Sequence, residues 1–89
     1  MGDLSIFKVL SDSQRREILV LLKNGRLSAG EIAEKMGLTP AALSYHLKLL
    51  KQAELVIEYK QKNFIYYEIN ITVFEELILW VKQFGGKVE

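Results

Sequence analysis

A mainly helical domain carrying one small β-hairpin, in the order α-α-α-α-β-β-α, is the fold class this sequence predicts. Three observations predict it. Up to Gln52, apolar residues recur at helical spacing in four blocks separated by capping residues or glycines. From Leu55 to Ile69 the composition shifts to β-branched and aromatic residues, interrupted once by a polar stretch. From Val73 to Phe84 the helical spacing returns.

The elements follow in order. Asp3 to Leu10 carries Leu4, Ile6, Phe7 and Leu10 on one helical face. Ser11-Asp12-Ser13-Gln14 then reads as a capping box before a second helix with Ile18, Leu19, Leu21 and Leu22, which Asn24-Gly25 ends. Ser28 and Glu31 form another capping box, so a third helix is expected over about residues 29–36, with Ile32, Ala33 and Met36 inward and Gly37 as its stop. Thr39 offers a cap oxygen and Pro40 stands where its missing N–H costs nothing, which starts a fourth helix carrying Leu43, Leu47 and Leu50. Two strands, Leu55 to Tyr59 and Phe64 to Ile69, flank the polar tip Lys60-Gln61-Lys62-Asn63. A last helix with Val73, Phe74, Leu77, Ile78, Val81 and Phe84 ends at Gly85-Gly86.

Residues 1–89 are read as one folding unit, since the length leaves no room for a second core and no linker or repeat is visible. About half of the residues are apolar and a quarter charged, which excludes a disordered chain. Without cysteine there is no disulfide, thiolate metal site or cysteine nucleophile, and with a single histidine no catalytic constellation can be assembled, so an enzyme is not expected. No apolar run approaches the roughly 20 residues of a membrane span, and Met1 to Lys8 does not resemble a signal peptide, so a cytoplasmic protein without membrane contact is expected. The net charge of +1 is unevenly spread. Residues 39–63 carry Lys48, Lys51, Lys60 and Lys62 against Glu54 and Glu58, whereas the segment from Phe64 onward is acidic. Such a division suits one face on phosphate and another on protein.

Two helices separated only by Gly37-Leu38-Thr39 make a helix-turn-helix, and the basic hairpin after them makes a wing. The whole therefore reads as a winged helix-turn-helix with a terminal association helix. Phe7-Lys8-Val9-Leu10-Ser11-Asp12, Arg15-Arg16-Glu17-Ile18-Leu19, Ala29-Gly30-Glu31-Ile32-Ala33, Ser44-Tyr45-His46-Leu47-Lys48-Leu49-Leu50 and Ile65-Tyr66-Tyr67 resemble the ArsR-type repressors. The Tyr66-Tyr67 ending and short last helix are similar to the SdpR-like autorepressor branch. The resemblance implies a dimeric, sequence-specific transcriptional repressor, released from operator DNA by a signal, whether an inducer or an anti-repressor protein. Metal-sensing members carry paired cysteines where this chain has Leu27-Ser28-Ala29-Gly30-Glu31, so neither metal nor cofactor is expected.

With Leu43, Leu47 and Leu50 inward, the outward face of the fourth helix collects Ala41, Ser44, Tyr45, Lys48 and Gln52. Capped by Thr39, this face is the expected DNA contact: Ser44 and Tyr45 for base edges, Lys48 for phosphate. An ordinary polar helix surface would look similar, but an exposed tyrosine on a small polar face favours DNA. His46 falls at the core edge of the wheel, where a structural role and a phosphate contact are both open. Lys60 and Lys62 are expected at the wing tip against phosphate or the minor groove. Arg15 and Arg16 read as packing or local pairing. The stripe Phe74, Leu77, Ile78, Trp80, Val81 and Phe84 is broader than one small domain can cover, so with Leu4 and Phe7 it is the expected homodimer interface. A winged helix that binds only protein is the competing reading, and it lacks salt-dependent affinity for DNA.

Overall fold

The computed structural model describes residues 5–85. Its elements are α1 (Ile6–Leu10), α2 (Ser13–Leu22), β1 (Leu27–Ser28), α3 (Ala29–Met36), α4 (Pro40–Gln52), β2 (Val56–Gln61), β3 (Phe64–Ile69) and α5 (Ile71–Lys82). Each helix starts where its cap chemistry dictates. Ser28 accepts from the Glu31 N–H while the Glu31 carboxylate accepts from the Ser28 N–H, closing the expected box, and Thr39 Oγ1 accepts from the Ala42 N–H ahead of Pro40. The start of α2 differs from expectation. Asp12, not Ser11, is its cap and accepts from the Gln14 and Arg15 N–H groups. Ser11 instead closes α1 through its hydroxyl on the Lys8 carbonyl, because α1 and α2 abut too closely for a longer box. Leu4, assigned to the first helix and the dimer contact, lies outside the described residues.

The sheet has three strands rather than two, in the order β1-β3-β2, all antiparallel. Two residues, Leu27 and Ser28, pair with Tyr67 and Tyr66 on the way into α3. β2 runs two residues further than its apolar stretch, pairing Lys60 with Ile65 and Gln61 with Phe64. The turn is thus only Lys62-Asn63, and Lys62 takes a left-handed φ of 57° to close it. Lys60 is therefore a strand residue, not part of the tip.

Where α1, α2, α3, α4 and the sheet converge, Val9, Ile18, Leu22, Ile32, Leu43, Leu47, Leu50 and Leu55 fill the core, and Tyr67 closes it from β3. Val73 and Phe74 are the α5 residues that pack against this core, and no residue of α5 is buried. The body measures 44 × 23 × 22 Å, and α5 keeps Ile71, Ile78, Leu79, Trp80 and Val81 exposed.

Both helices of the helix-turn-helix end in the same backbone pattern, in which a residue just past the helix turns left-handed and its successor returns its N–H to a carbonyl five residues back. Gly37 does so after α3 (φ 66°), with the Leu38 N–H returning to the Ala33 carbonyl. Glu54 does so after α4 (φ 62°), with the Leu55 N–H returning to the Leu50 carbonyl. A side chain at Gly37 meets open space, so its cost is backbone strain alone; Gly30, inside α3, has ordinary helical geometry, with Ser28 Oγ 4.0 Å from an added Cβ. Gly37→Ala is expected to destabilise the fold by about 1–2 kcal/mol, and Gly30→Ala to stabilise it by about 0.4–1 kcal/mol. Urea unfolding midpoints check both, and a Gly37→Ala midpoint at or above that of the parent chain would contradict the turn geometry.

Candidate nucleic-acid interface

The geometry of α4 follows from what lies behind it. Arg15, 8% exposed, sends Nε–H to the Val9 carbonyl at 2.8 Å and Nη1–H to His46 Nδ1 at 3.2 Å. Since a guanidinium can only donate, Nδ1 must accept, and His46 carries its proton on Nε2, which donates to Gln14 Oε1 at 3.1 Å. One buried side chain thus joins the end of α1, the start of α2 and the middle of α4. His46 is 8% exposed with both ring nitrogens engaged, so of the two roles open to it the structure gives it the structural one, in the core rather than on the outward face of α4. Arg15 is thus a packing residue, while Arg16 is exposed and bonds locally, its Nη1 donating to the Leu10 carbonyl at 2.8 Å.

With His46 turned in, Ala41, Ser44, Tyr45 and Lys48 remain on the exposed face of α4, and Tyr45 is 60% exposed, its ring 5.8 Å from that of His46. Thr39 is exposed at the head of the helix with its oxygen used as the cap. Lys60 and Lys62 are exposed on the hairpin. These residues lie on α4, at its cap and on the following hairpin. Of the other group, Phe7, Ile78, Trp80, Val81 and Phe84 are exposed while Phe74 and Leu77 are half-buried. Phe7 and Trp80 meet with ring centroids 5.2 Å apart, and Trp80 and Phe84 at 5.0 Å, which brings α1 and α5 to one surface.

Two further groups tie the wing down, and neither was visible in the sequence. Lys51, in the last turn of α4, pairs with Glu58 Oε1 on β2 at 2.6 Å, and the Tyr67 hydroxyl donates to Glu58 Oε2 at 2.6 Å. Lys51 foremost, and then Tyr67, hold the Glu58 carboxyl below its ordinary value, while burial and that same carboxylate push the Tyr67 hydroxyl up. On the other face of the sheet, Arg26 lies 4.7 Å over the Tyr66 ring and donates to the Tyr59 hydroxyl at 2.8 Å, the hydrogen bond that chiefly raises its value further. Tyr59 and Tyr66 stack at 6.0 Å as a directly opposed cross-strand pair. The signal for Arg26 would have been its place one residue before a strand, and a two-residue strand has no sequence signature.

Residues 12–58 match the family described as bacterial regulatory protein, arsR family. The chain is 43% identical over 83 residues to the transcriptional repressor SdpR of Bacillus subtilis (strain 168), spanning 93% of this chain and 92% of that protein. It is 39% identical over 74 residues to the arsenical resistance operon repressor of Staphylococcus aureus, spanning 83% and 71%. The solution structure of a homodimeric winged helix-turn-helix DNA-binding domain from Mycobacterium bovis superposes with a TM-score of 0.72 at 26% identity, covering 91% of this chain and 78% of that one. The fold is accordingly the winged helix-turn-helix, with β1 added to the two strands expected.

A carboxyl held low in the folded state contributes stability above its unfolded value that is lost as pH falls through its folded value. For Glu58 the loss begins below its ordinary value of 4.5 and continues downward. Urea midpoints of the parent chain are expected to drop through this acid range, and Glu58→Gln to lower the midpoint at pH 7 while flattening the acid dependence. An unchanged acid slope in Glu58→Gln would show that the α4–wing link contributes nothing.

Proposed function

The chain belongs to the ArsR family of bacterial regulatory proteins, and on that premise we propose that it is a cytoplasmic transcriptional repressor that binds a palindromic operator as a homodimer, without sensing a metal. The observation that carries this reading is the exposed face of α4, where Ala41, Ser44, Tyr45 and Lys48 stand free while the opposite side is locked by Leu43, His46, Leu47 and Leu50. A small residue for close approach, a hydroxyl pair for base edges and one point charge suit a helix laid in the major groove. Lys62 at the tip and Lys60 on the adjoining strand suit phosphate. SdpR, the relative at 43% identity, is a repressor, and the Mycobacterium bovis domain is homodimeric.

The dimer reading rests on α5. Phe74, Leu77, Ile78, Trp80, Val81 and Phe84, with Phe7 from α1, present more apolar surface than the core of one chain covers. A two-fold axis through this surface sets two α4 helices in successive major grooves, with half-sites about 10–10.5 base pairs apart. Absence of metal sensing is supported by the lack of cysteine and by the engagement of the single histidine with Arg15 and Gln14.

Titration against operator and scrambled duplexes at several salt concentrations tests the docking. Lys48→Ala and Lys62→Ala are expected to weaken both duplexes alike and each to reduce the salt slope by roughly one. Ser44→Ala and Tyr45→Phe are expected to erode discrimination between the duplexes. Lysine variants with parent affinity and slope, together with unchanged discrimination in the other two, would move the interface to another face. Ile78→Glu places a charge on the α5 surface and should sediment as a monomer; an intact dimer would exclude α5 from the interface.

A further inference from the structure

At the far end of the hairpin an aromatic ring stands in the open. Phe64, the first residue of β3, is 58% exposed and follows directly on the Lys62-Asn63 turn. Side chains alternate along a strand, so Phe64 and Tyr66 share one face of the sheet, and Tyr59, opposite Tyr66, shares it with them. Phe64 leans on Tyr66 with ring centroids 6.3 Å apart, Tyr66 stacks on Tyr59 at 6.0 Å, and the Arg26 guanidinium lies 4.7 Å over Tyr66. The exposed ring is thus backed by a row of rings, which the bond from Arg26 to the Tyr59 hydroxyl holds at its other end. Its surroundings are cationic. From Tyr59 to Tyr67 the hairpin has two lysines, Lys60 and Lys62, and no carboxylate. Among the described residues the one salt bridge joins Lys51 to Glu58, so neither of these lysines has a counter-charge there. An apolar protein surface would leave both cations unmatched, whereas the groove of a duplex offers phosphates at its rims and stacked bases within.

We propose that Phe64 is a wedge that reads DNA by deforming it: with α4 in the major groove, the tip of the wing enters the neighbouring minor groove and the Phe64 ring enters between two stacked base pairs. This rests on the DNA-binding reading of α4 above and adds a specificity-determining residue outside that helix. The minor groove is about 6 Å wide, roughly half the width of the major groove. It admits the two-residue turn and the ring beside it, but not the strand pair behind them. Apolar side chains in this groove part neighbouring base pairs at a cost that the sequence sets, lowest at pyrimidine–purine steps such as TA and CA. Phe64 therefore selects such a step at a position that no hydrogen bond from α4 reads. The row of rings behind it makes the step yield rather than the ring.

The probe is the duplex that the purified chain itself selects from a random-sequence pool. It carries 2-aminopurine, whose emission rises on unstacking, at one position at a time through and beside the repeat. Binding of the parent chain is expected to raise emission at one symmetry-related pair of positions. Phe64→Ala should abolish the rise, and Phe64→Leu should keep most of it, since leucine also serves as a wedge. Duplexes with TA at that step should bind the parent roughly five- to tenfold tighter than duplexes with GC, and Phe64→Ala should bind the two alike. The salt slope of Phe64→Ala should equal that of the parent, because no phosphate contact is lost. A parent complex with no rise at any position, a rise that survives in Phe64→Ala, or a variant that keeps the preference for TA would overturn the wedge and leave the DNA-binding reading standing. A lowered salt slope in Phe64→Ala would overturn it too, since the whole wing would have moved. If the chain selects no duplex, the DNA-binding reading falls and the wedge falls with it.

Discussion

The guanidinium of Arg15 is the point on which the placement of α4 depends. A buried cation is costly unless its donors are matched, and here they are met by the Val9 carbonyl at the end of α1 and by His46 from the middle of α4. Asp12, whose carboxyl is held low by the backbone N–H groups of Arg15 and Gln14, adds its charge at the head of the same helix. Hydrogen bonds are directional where apolar packing is not. Leu43, Leu47 and Leu50 bury one side of α4 and set which side faces outward. The bond from Arg15 to His46, with Gln14 on the other ring nitrogen, fixes the same orientation through a directional contact.

The hairpin is fastened to the same helix by a different route. Lys51 reaches from the last turn of α4 to Glu58, and Glu58 accepts from Tyr67, whose ring closes the core from β3. Displacing the wing relative to α4 would therefore break the Lys51–Glu58 pair, while the Tyr67–Glu58 bond, which lies within the hairpin, moves with it. The outer sheet face is held separately by the stacking of Arg26, Tyr59 and Tyr66. The exposed face of α4 and the hairpin are thus held together, which is what the proposed simultaneous contact with two parts of a duplex requires.

Local chemistry was legible in the sequence wherever it acts over a few residues. The Ser28 and Glu31 box, the Thr39-Pro40 start, the Gly37 stop and the inward leucines of α4 all depend on neighbours within one or two turns. What was not legible depends on partners far along the chain. β1 exists because Leu27 and Ser28 meet Tyr67 and Tyr66, and two residues carry no periodicity. His46 sat at the boundary of the wheel, and only Arg15, 31 residues earlier, draws it inward. The start of α2 was misplaced by one residue because Ser11 and Asp12 both have capping oxygens, and the end of α1 claims the first. Lys60 belongs to β2 although its polarity reads as the end of the strand, since an exposed edge strand accepts charged residues.

An α5 without a single buried residue has a further consequence for a chain proposed to act in pairs. A helix of twelve residues is marginal when it stands alone, so most of what orders its outer half must come from the second copy. Assembly and ordering of that segment then become one equilibrium, governed by mass action. Below the dissociation constant of the pair, the population of competent dimers rises with the square of the chain concentration. Such a regulator has a threshold: dilution by growth removes it from its target abruptly, and the position of that threshold is adjustable by single substitutions on α5 that never approach the DNA.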